Sequence, residues 1–271
     1  MYIDTSVLIC TYNCQDYIEN TLKSVLKQTY KNFEILICDN NSTDEYTKYV
    51  LKKYQREYPD KIKVYYQKNN LGAYGGLNFL LDKTDKKYIA IQDHDDIWHR
   101  KKLKTQIDFL NKYEDFVGCG TEMVIYYELF KRFTYDLKFK LLDTKVPHAS
   151  LVFRNSKKYR YNTKIKMYGD HYFMQKVLCK DKPMLYNIPK YYLIHTYKKK
   201  GDNLSLIWES KISYNEYKKI NLILNSYYKS KFKYYYEKFV PFNLRAYISY
   251  KIIRPGKYIK NQNLIDQYSI K

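Results

Sequence analysis

Three aspartates lie within four residues of the sequence, at Asp93, Asp95 and Asp96, directly after an apolar run. Like charges about 4 Å apart repel by roughly 4 kcal/mol at an effective dielectric constant near 20, so the cluster favours a nearby cation. Asp93 and Asp95 offer the oxygen ligands that Mg²⁺ and Mn²⁺ prefer, but too few to fill a coordination shell. The cluster therefore predicts a divalent cation shared with phosphate oxygens and water. The alternative is a solvated loop in which Asp96 caps the following helix.

Polar residues also follow the other strand-like runs of the first half. Asp39 ends one such run, where its carboxylate is placed to accept a hydrogen bond from a base or a ribose. The alternative for Asp39 is a turn or a helix cap formed with Asn40 and Asn41. Asn70 and Gly72 lie in a glycine-rich turn, in which the backbone can bend tightly next to a ligand. These positions extend the candidate site beyond the acidic cluster.

Apolar periodicity places these residues on an α/β framework. Short apolar runs of the buried-strand type alternate with helical spacing, as in Ile18, Leu22 and Val25. Such alternation predicts right-handed crossovers and a mostly parallel, Rossmann-like sheet flanked by helices. Ligand sites in these sheets lie beyond the carboxyl ends of the strands, so we expect the polar segments to converge on one rim. The segments are "CTYN", "CDNNSTD", "NNLGAYGG" and "QDHDD".

Composition and missing motifs exclude several functions. Lys and Arg total 49 against 28 Asp and Glu, a formal net charge of +21 that suits anionic partners such as nucleotides or acidic glycans. Neither the G-x-G-x-x-G pattern of dinucleotide binders nor a Walker lysine loop occurs, which excludes hydride transfer and ATP hydrolysis. The five cysteines lack metal-ligand spacing and predict reduced thiols. Since the sequence shows no apolar leader and no long apolar run, we expect a cytoplasmic protein.

Three segments, 6–44, 69–81 and 88–106, together resemble family 2 of the glycosyltransferases, which are inverting enzymes of the GT-A fold. The likeness is specific over roughly the first 110 residues and looser to about Ser205. It implies metal-dependent transfer of a sugar from a nucleoside diphosphate sugar, usually a uridine derivative, to a hydroxyl. The acceptor would be a glycan, a lipid-linked molecule or a protein.

The resemblance also implies how the donor is held. Asp93 and Asp95 match the D-x-D motif, with Asp95 as the direct Mn²⁺ or Mg²⁺ ligand and Asp93 nearer the ribose. His195 is the candidate for a further metal ligand, with a surface or core histidine as the alternative. The residues implied for the nucleoside are Thr11, Tyr12, Asn13 and Asp39.

The acceptor side shows departures from the family pattern. The family's acidic pair, often Glu-Asp, appears as Gly169–Asp170, so Asp170 is implied as the general base, with a helix cap as its alternative. Many relatives have Arg-Asn where this chain has Leu77–Asn78. Asn78 is implied to lie beside the donor, and we expect a lysine such as Lys68 to replace the missing contact to the diphosphate. His148 is expected to be structural.

Changes in composition predict the domain organisation. Residues 1–205 are expected to form a GT-A domain, divided into a nucleotide-binding half (1–113) and an acceptor-side half (114–205). Residues 206–271 form a basic, tyrosine-rich extension with helical periodicity. This extension either contacts an anionic membrane surface peripherally or packs as a helical cap on the core.

Three other functions remain open from the sequence. A basic nucleic-acid-binding protein is disfavoured because the basic residues are dispersed while the shared rim is acidic, so no nucleic-acid partner is expected. A nucleotidyltransferase would also use a metal and carboxylates, and would release pyrophosphate. A sugar-nucleotide binder without catalytic activity is the third alternative.

Overall fold

The computed structural model describes residues 3–135, 146–165, 168–180 and 184–198. The extension at 206–271 and the prediction made for it lie outside these residues. The helices are α1 (Ile18–Leu26), α2 (Glu45–Glu57), α3 (Gly72–Asp82), α4 (Lys102–Lys112) and α5 (Gly169–Tyr172). The strands are β1 (Thr5–Thr11), β2 (Phe33–Asp39), β3 (Ile62–Tyr66), β4 (Tyr88–Asp93), β5 (Ile97–Trp98), β6 (Phe116–Tyr127), β7 (Arg132–Tyr135), β8 (Val152–Arg154) and β9 (Met184–Tyr197).

The described strands form one sheet in the order β3-β2-β1-β4-β8-β6-β9-β5, and β7 pairs with β6. Strands β1 to β4 are parallel to one another, which confirms the predicted α/β class with a mostly parallel sheet. The second half is mixed, because β8 runs antiparallel to both β4 and β6 while β9 runs parallel to β6. Strand β9 is long and pairs with β6 as far as Tyr197.

Side chains of the central strand alternate between two core layers. Val7 and Ile9 pack in a cluster with apolar residues of α1, α2 and α4, whereas Leu8 lies in a second cluster with residues of α3. The strand is therefore buried on both faces, as a parallel strand covered by crossover helices must be. Helix α2 begins where the Asp44 carboxylate accepts a hydrogen bond from the Thr47 amide (2.6 Å), which satisfies one of the unpaired donors of its first turn.

The register of the parallel strands brings the polar strand ends together. Thr11 of β1 lies opposite Asp39 of β2, and Cys10 lies opposite Asp93 of β4. The predicted convergence on one rim is confirmed for these strands. No helix among the described residues combines the length and the apolar composition that a membrane span requires.

One buried lysine has an unusual environment. Lys102, at the start of α4, is fully buried, and its side-chain nitrogen has no hydrogen-bond partner among the described residues. The nitrogen lies 3.7 Å from the centre of the Trp98 ring. Burial lowers the pKa of Lys102 well below its ordinary value, because the protein interior disfavours the charged form.

Replacing Lys102 with Met is expected to raise the free energy of unfolding by about 1–3 kcal/mol. The change removes a buried polar group without a partner and keeps an unbranched chain over Trp98. In a thermal unfolding experiment, each kcal/mol of added stability should raise Tm by roughly 2–4 °C. Lys104→Met, at an exposed lysine paired with Asp108, is the matched control and should change Tm little. A lower Tm for Lys102→Met would show that the lysine stabilises the fold.

Candidate active site

Asp39 is a buried acceptor at the end of β2. Its Oδ1 accepts hydrogen bonds from the hydroxyls of Thr11 (2.9 Å) and Ser42 (2.6 Å), and its Oδ2 accepts from the Ser42 amide (3.1 Å). A carboxylate has about four acceptor positions, two on each oxygen. The described residues fill both positions on Oδ1 and one on Oδ2, so one position on Oδ2 remains. Asp39 is thus held in place by its neighbours and keeps capacity for one further donor, such as an imide N–H of a base.

The first and second loops are joined through Asn13, which has a left-handed backbone (φ 45°). Its side-chain oxygen accepts hydrogen bonds from the backbone N–H groups of Thr43 (2.8 Å) and Asp44 (3.3 Å). The backbone N–H of Asn13 donates to the Ser42 hydroxyl (3.0 Å). Asn13 therefore shapes the rim from within the protein. Tyr12 beside it is 44% exposed, which leaves its ring accessible to a ligand.

The glycine-rich turn before α3 has the tight geometry expected from the sequence. Gly72 has a φ of 71°, and its amide donates to the Asn70 side chain (2.8 Å), while its carbonyl accepts from Asn40 (3.1 Å). A Cβ atom at Gly76 would lie only 2.6 Å from the Cys10 sulfur. The absence of a side chain at Gly76 lets α3 pack directly against the end of β1.

Asp96 is paired with His195 rather than with a helix terminus. The imidazole Nδ1 of His195 lies 3.0 and 3.1 Å from the two Asp96 oxygens, and the Thr196 amide donates to Oδ1 (3.1 Å). Helix α4 begins after Lys101 without a side-chain cap, so the alternative of Asp96 as its cap is wrong. Burial alone would lower the pKa of His195, but the Asp96 carboxylate outweighs burial and raises it to about 9.

Asp95 forms an ion pair that sequence analysis did not predict. The Lys198 ammonium lies 2.9 Å from Asp95 Oδ2, and both side chains are about nine-tenths buried (11% and 10% exposed). Burial alone would raise the pKa of Asp95, but the charges of His94, Lys198 and His195 outweigh it and lower the pKa below the ordinary value. Lys198 lies just past β9, which carries it to the rim.

Asp93 is the least compensated carboxylate of the cluster. No described residue forms a hydrogen bond or an ion pair with its side chain, and the side chain is half-buried. Burial, followed by the charges of Asp96 and Asp95, raises the pKa of Asp93 to about 8. A carboxylate in such surroundings is stabilised by an added cation.

The donor set fits a divalent ion that also binds a diphosphate. In the described part of the chain, no three His, Cys, Asp or Glu side chains converge as a metal site. Asp93 and Asp95 would provide two carboxylate ligands, and Mg²⁺ is commonly held by one or two carboxylates together with phosphate oxygens and water. His195 would bind a metal only through Nε2 and only after losing the proton that its raised pKa retains.

Asp170 lies in α5, where α3 reaches the same rim. Its backbone N–H donates to the Tyr74 hydroxyl of α3 (3.1 Å), and its charge contributes to the raised pKa of Asp93. Burial alone would raise the pKa of Asp170, but the charges of His171 and His148 outweigh it and lower the pKa. Asp170 is therefore ionised at neutral pH, as a general base must be.

Position 169 is closed to a side chain. A Cβ atom at Gly169 would lie 2.4 Å from Cε2 of Tyr74, closer than any real contact permits. The Tyr74 ring thus fills the space that the first carboxylate of the expected acidic pair would need.

Asn78, predicted beside the donor, forms two hydrogen bonds with the Tyr161 backbone. Its side-chain nitrogen donates to the Tyr161 carbonyl (2.9 Å), and its side-chain oxygen accepts from the Tyr161 N–H (2.8 Å).

Two residues of the site had no clear signal in the sequence. Lys198 is one of several consecutive lysines, and nothing in that run indicates which of them faces an aspartate. Tyr74 is one of 35 tyrosines, although its position beside the glycine-rich turn could have drawn attention to it. Lys68 is exposed. Its expected contact to a diphosphate stays a prediction.

Comparisons with known proteins identify the family of the chain. The family model described as "Glycosyl transferase family 2" matches residues 6–179. The Escherichia coli protein named UDP-Glc:alpha-D-GlcNAc-diphosphoundecaprenol beta-1,3-glucosyltransferase WfaP is 43% identical over 105 residues, which are 39% of this chain and 40% of that protein. The chain spans less than half the length of the curated relatives it matches.

Solved structures share the fold at low sequence identity. TarS 1-349 of S. aureus, in complex with UDP-GlcNAc, has a TM-score of 0.64 and 20% identity, over 82% of this chain and 65% of that chain. The mannosyltransferase PcManGT of Pyrobaculum calidifontis, in complex with GDP-Man and Mn²⁺, has a TM-score of 0.61 and 17% identity, over 78% of this chain and 61% of that chain. These similarities confirm the predicted GT-A fold.

Proposed function

The chain belongs to glycosyltransferase family 2, and we propose that it transfers a sugar, with inversion, from a UDP-sugar to a hydroxyl of a lipid-linked glycan. The observation that carries the proposal is the register of the parallel strands, which brings Asp39 and Asp93 to one rim. Asp170 reaches this rim from α5. In this proposal Asp39 binds the nucleoside, Asp93 binds the diphosphate through the metal, and Asp170 acts on the acceptor hydroxyl.

The nucleoside end of the donor fits the pocket around Asp39. The free acceptor position of Oδ2 matches the single imide N–H of uracil, and the bonds from Thr11 and Ser42 prevent the carboxylate from turning away. The exposed ring of Tyr12 offers a surface on which a base can stack. These features support a uridine nucleotide as the donor.

The diphosphate end fits Asp93 and Asp95. Bound there, Mn²⁺ or Mg²⁺ would supply Lewis-acid stabilisation of the charge that develops on the leaving nucleoside diphosphate. Asp93 is the carboxylate with the greatest excess of negative charge around it. Lys198 adds a positive charge beside Asp95, and a positive charge near the cluster favours a bound diphosphate.

The acceptor chemistry is assigned to Asp170. As a carboxylate ionised at neutral pH, Asp170 can accept the proton of an acceptor hydroxyl while that oxygen attacks the anomeric carbon from the face opposite the nucleotide. The lipid-linked class of acceptor follows the printed name of WfaP, whose acceptor is a diphosphoundecaprenol-linked sugar. The net charge of +21 favours such an anionic acceptor.

A thermal-shift screen of UDP, GDP, UDP-glucose and UDP-N-acetylglucosamine, each with and without Mn²⁺, tests the donor. A uridine diphosphate compound with Mn²⁺ is expected to raise Tm, because a ligand at 100 times its Kd stabilises the native state by about 2.7 kcal/mol. A nucleotidyltransferase would instead respond to nucleoside triphosphates and release pyrophosphate. A shift caused by DNA or RNA and by none of the nucleotides would contradict the proposal.

A further inference from the structure

Tyr74 occupies the space between α3 and Asp170. Its hydroxyl accepts the hydrogen bond from the Asp170 backbone N–H (3.1 Å). Its ring lies so close to Gly169 that a Cβ atom there would be 2.4 Å from Cε2 and 2.8 Å from Cζ. One side chain therefore contacts both residues at the start of α5.

The Tyr74 ring is itself held by an aromatic column. It stacks on Tyr161, with ring centres 5.5 Å apart and planes 5° apart, and Tyr161 stacks in turn on Phe173 at 3.8 Å. The Tyr161 hydroxyl is bonded to Nε2 of His148 (2.8 Å). Because the Tyr74 ring stacks on Tyr161 and also lies against Gly169, the position of its hydroxyl relative to α5 is constrained.

Helix α5 by itself is poorly suited to hold Asp170. It has only four residues before the backbone changes to a π-helical turn. The residue that precedes it, Tyr168, has a left-handed backbone (φ 57°) and forms no side-chain cap. Unpaired amides in the first turn of a helix require an outside acceptor. The Tyr74 hydroxyl is that acceptor for Asp170.

We propose that Tyr74 is a positioning residue for Asp170, and that position 169 must be glycine to admit the Tyr74 ring. This inference rests on the proposed function for the role of Asp170 as a base, although the steric pairing of Tyr74 with Gly169 is independent of it. Tyr74 itself need not contact the donor. Loss of its hydroxyl should therefore alter the rate of transfer more than the binding of donor.

The kinetic test compares Tyr74→Phe with the wild-type protein by UDP release from UDP-glucose or UDP-N-acetylglucosamine in the presence of Mn²⁺. The variant keeps the stacked ring and is expected to lose roughly 10- to 100-fold in kcat, since small displacements of a reacting group cost up to about 100-fold. KM for the donor should stay within about twofold. Tyr49→Phe, at a tyrosine that is 59% exposed on α2, is the matched control and should behave as wild type.

The same change in an Asp170→Asn background separates positioning from a general structural role. If Tyr74 acts through Asp170, Tyr74→Phe should cause no further loss once the base is absent. An equal loss in both backgrounds, or a normal rate for Tyr74→Phe alone, would overturn the positioning role. Absence of turnover and of UDP binding in the wild-type protein would instead reject the proposed function.

The steric part is tested without any substrate. Gly169→Ala is expected to lower Tm by roughly 2–10 °C, because the added methyl collides with the packed Tyr74 ring. The Gly169 backbone is outside the left-handed region, so alanine adds no backbone strain. In a Tyr74→Ala background, Gly169→Ala should cause no further loss. An unchanged Tm for Gly169→Ala alone would overturn the pairing.

Discussion

Replacing Asp170 with Asn is expected to lower the rate of sugar transfer by about 10²- to 10⁴-fold, the usual contribution of a general base. Asparagine keeps the size of the side chain and cannot accept the acceptor proton. UDP-sugar binding, measured by calorimetry with Mn²⁺, should be unchanged because the variant leaves intact the donor contacts proposed for Asp39 and Asp93. Asp108→Asn, at an exposed carboxylate of α4, is the control that should keep full activity.

The pH dependence of transfer provides a second check on Asp170. A general base stops working when it is protonated, so the rate of transfer should fall only as the pH approaches the pKa of Asp170. His171 and His148 hold this pKa below the ordinary value of 3.8. The rate should therefore not fall through loss of this base between pH 7 and pH 5. Burial lowers the pKa of His148 below its ordinary value of 6.5, so an acid limb below pH 6.5 that disappears in a His148 variant would move the base to that histidine.

Replacing Asp95 with Asn should abolish the Mn²⁺-dependent part of donor binding and also destabilise the fold. The variant removes the carboxylate that lies 2.9 Å from the Lys198 ammonium, at a position only about a tenth exposed. Breaking a buried ion pair by removing one member typically costs about 3–5 kcal/mol of folding free energy. Thermal unfolding and calorimetric titration with UDP and Mn²⁺ measure the two effects separately.

A double variant distinguishes the role of Asp95 in folding from its role in binding. Adding Lys198→Met to Asp95→Asn also removes the buried charge that has lost this ion pair, so much of the lost stability should return. Donor binding should remain weak in the double variant, because asparagine supplies only a neutral amide oxygen in place of the negatively charged carboxylate. Full recovery of Mn²⁺-dependent UDP binding together with stability would show that Asp95 is structural.

The sequence alone determined the framework of this protein. Apolar runs such as those ending at Asp39 and Asp93 form buried parallel strands because their side chains are apolar on both faces. The alternation of strands and helices then requires crossovers, and crossovers place the carboxyl ends of the strands on one rim. The helix that starts after Asp44 was also predictable, because the capping signal is local.

Only the tertiary structure decided how the charges of the site are balanced. Asp96 pairs with His195, 99 residues away, and Asp95 pairs with Lys198, because the pairing of β9 with β6 brings the end of β9 to the rim. Such contacts leave no periodic pattern in the sequence, since a charged side chain finds its partner through space. The contact of Tyr74 with Gly169 has the same origin, because packing between α3 and α5 depends on volumes that only the folded chain defines.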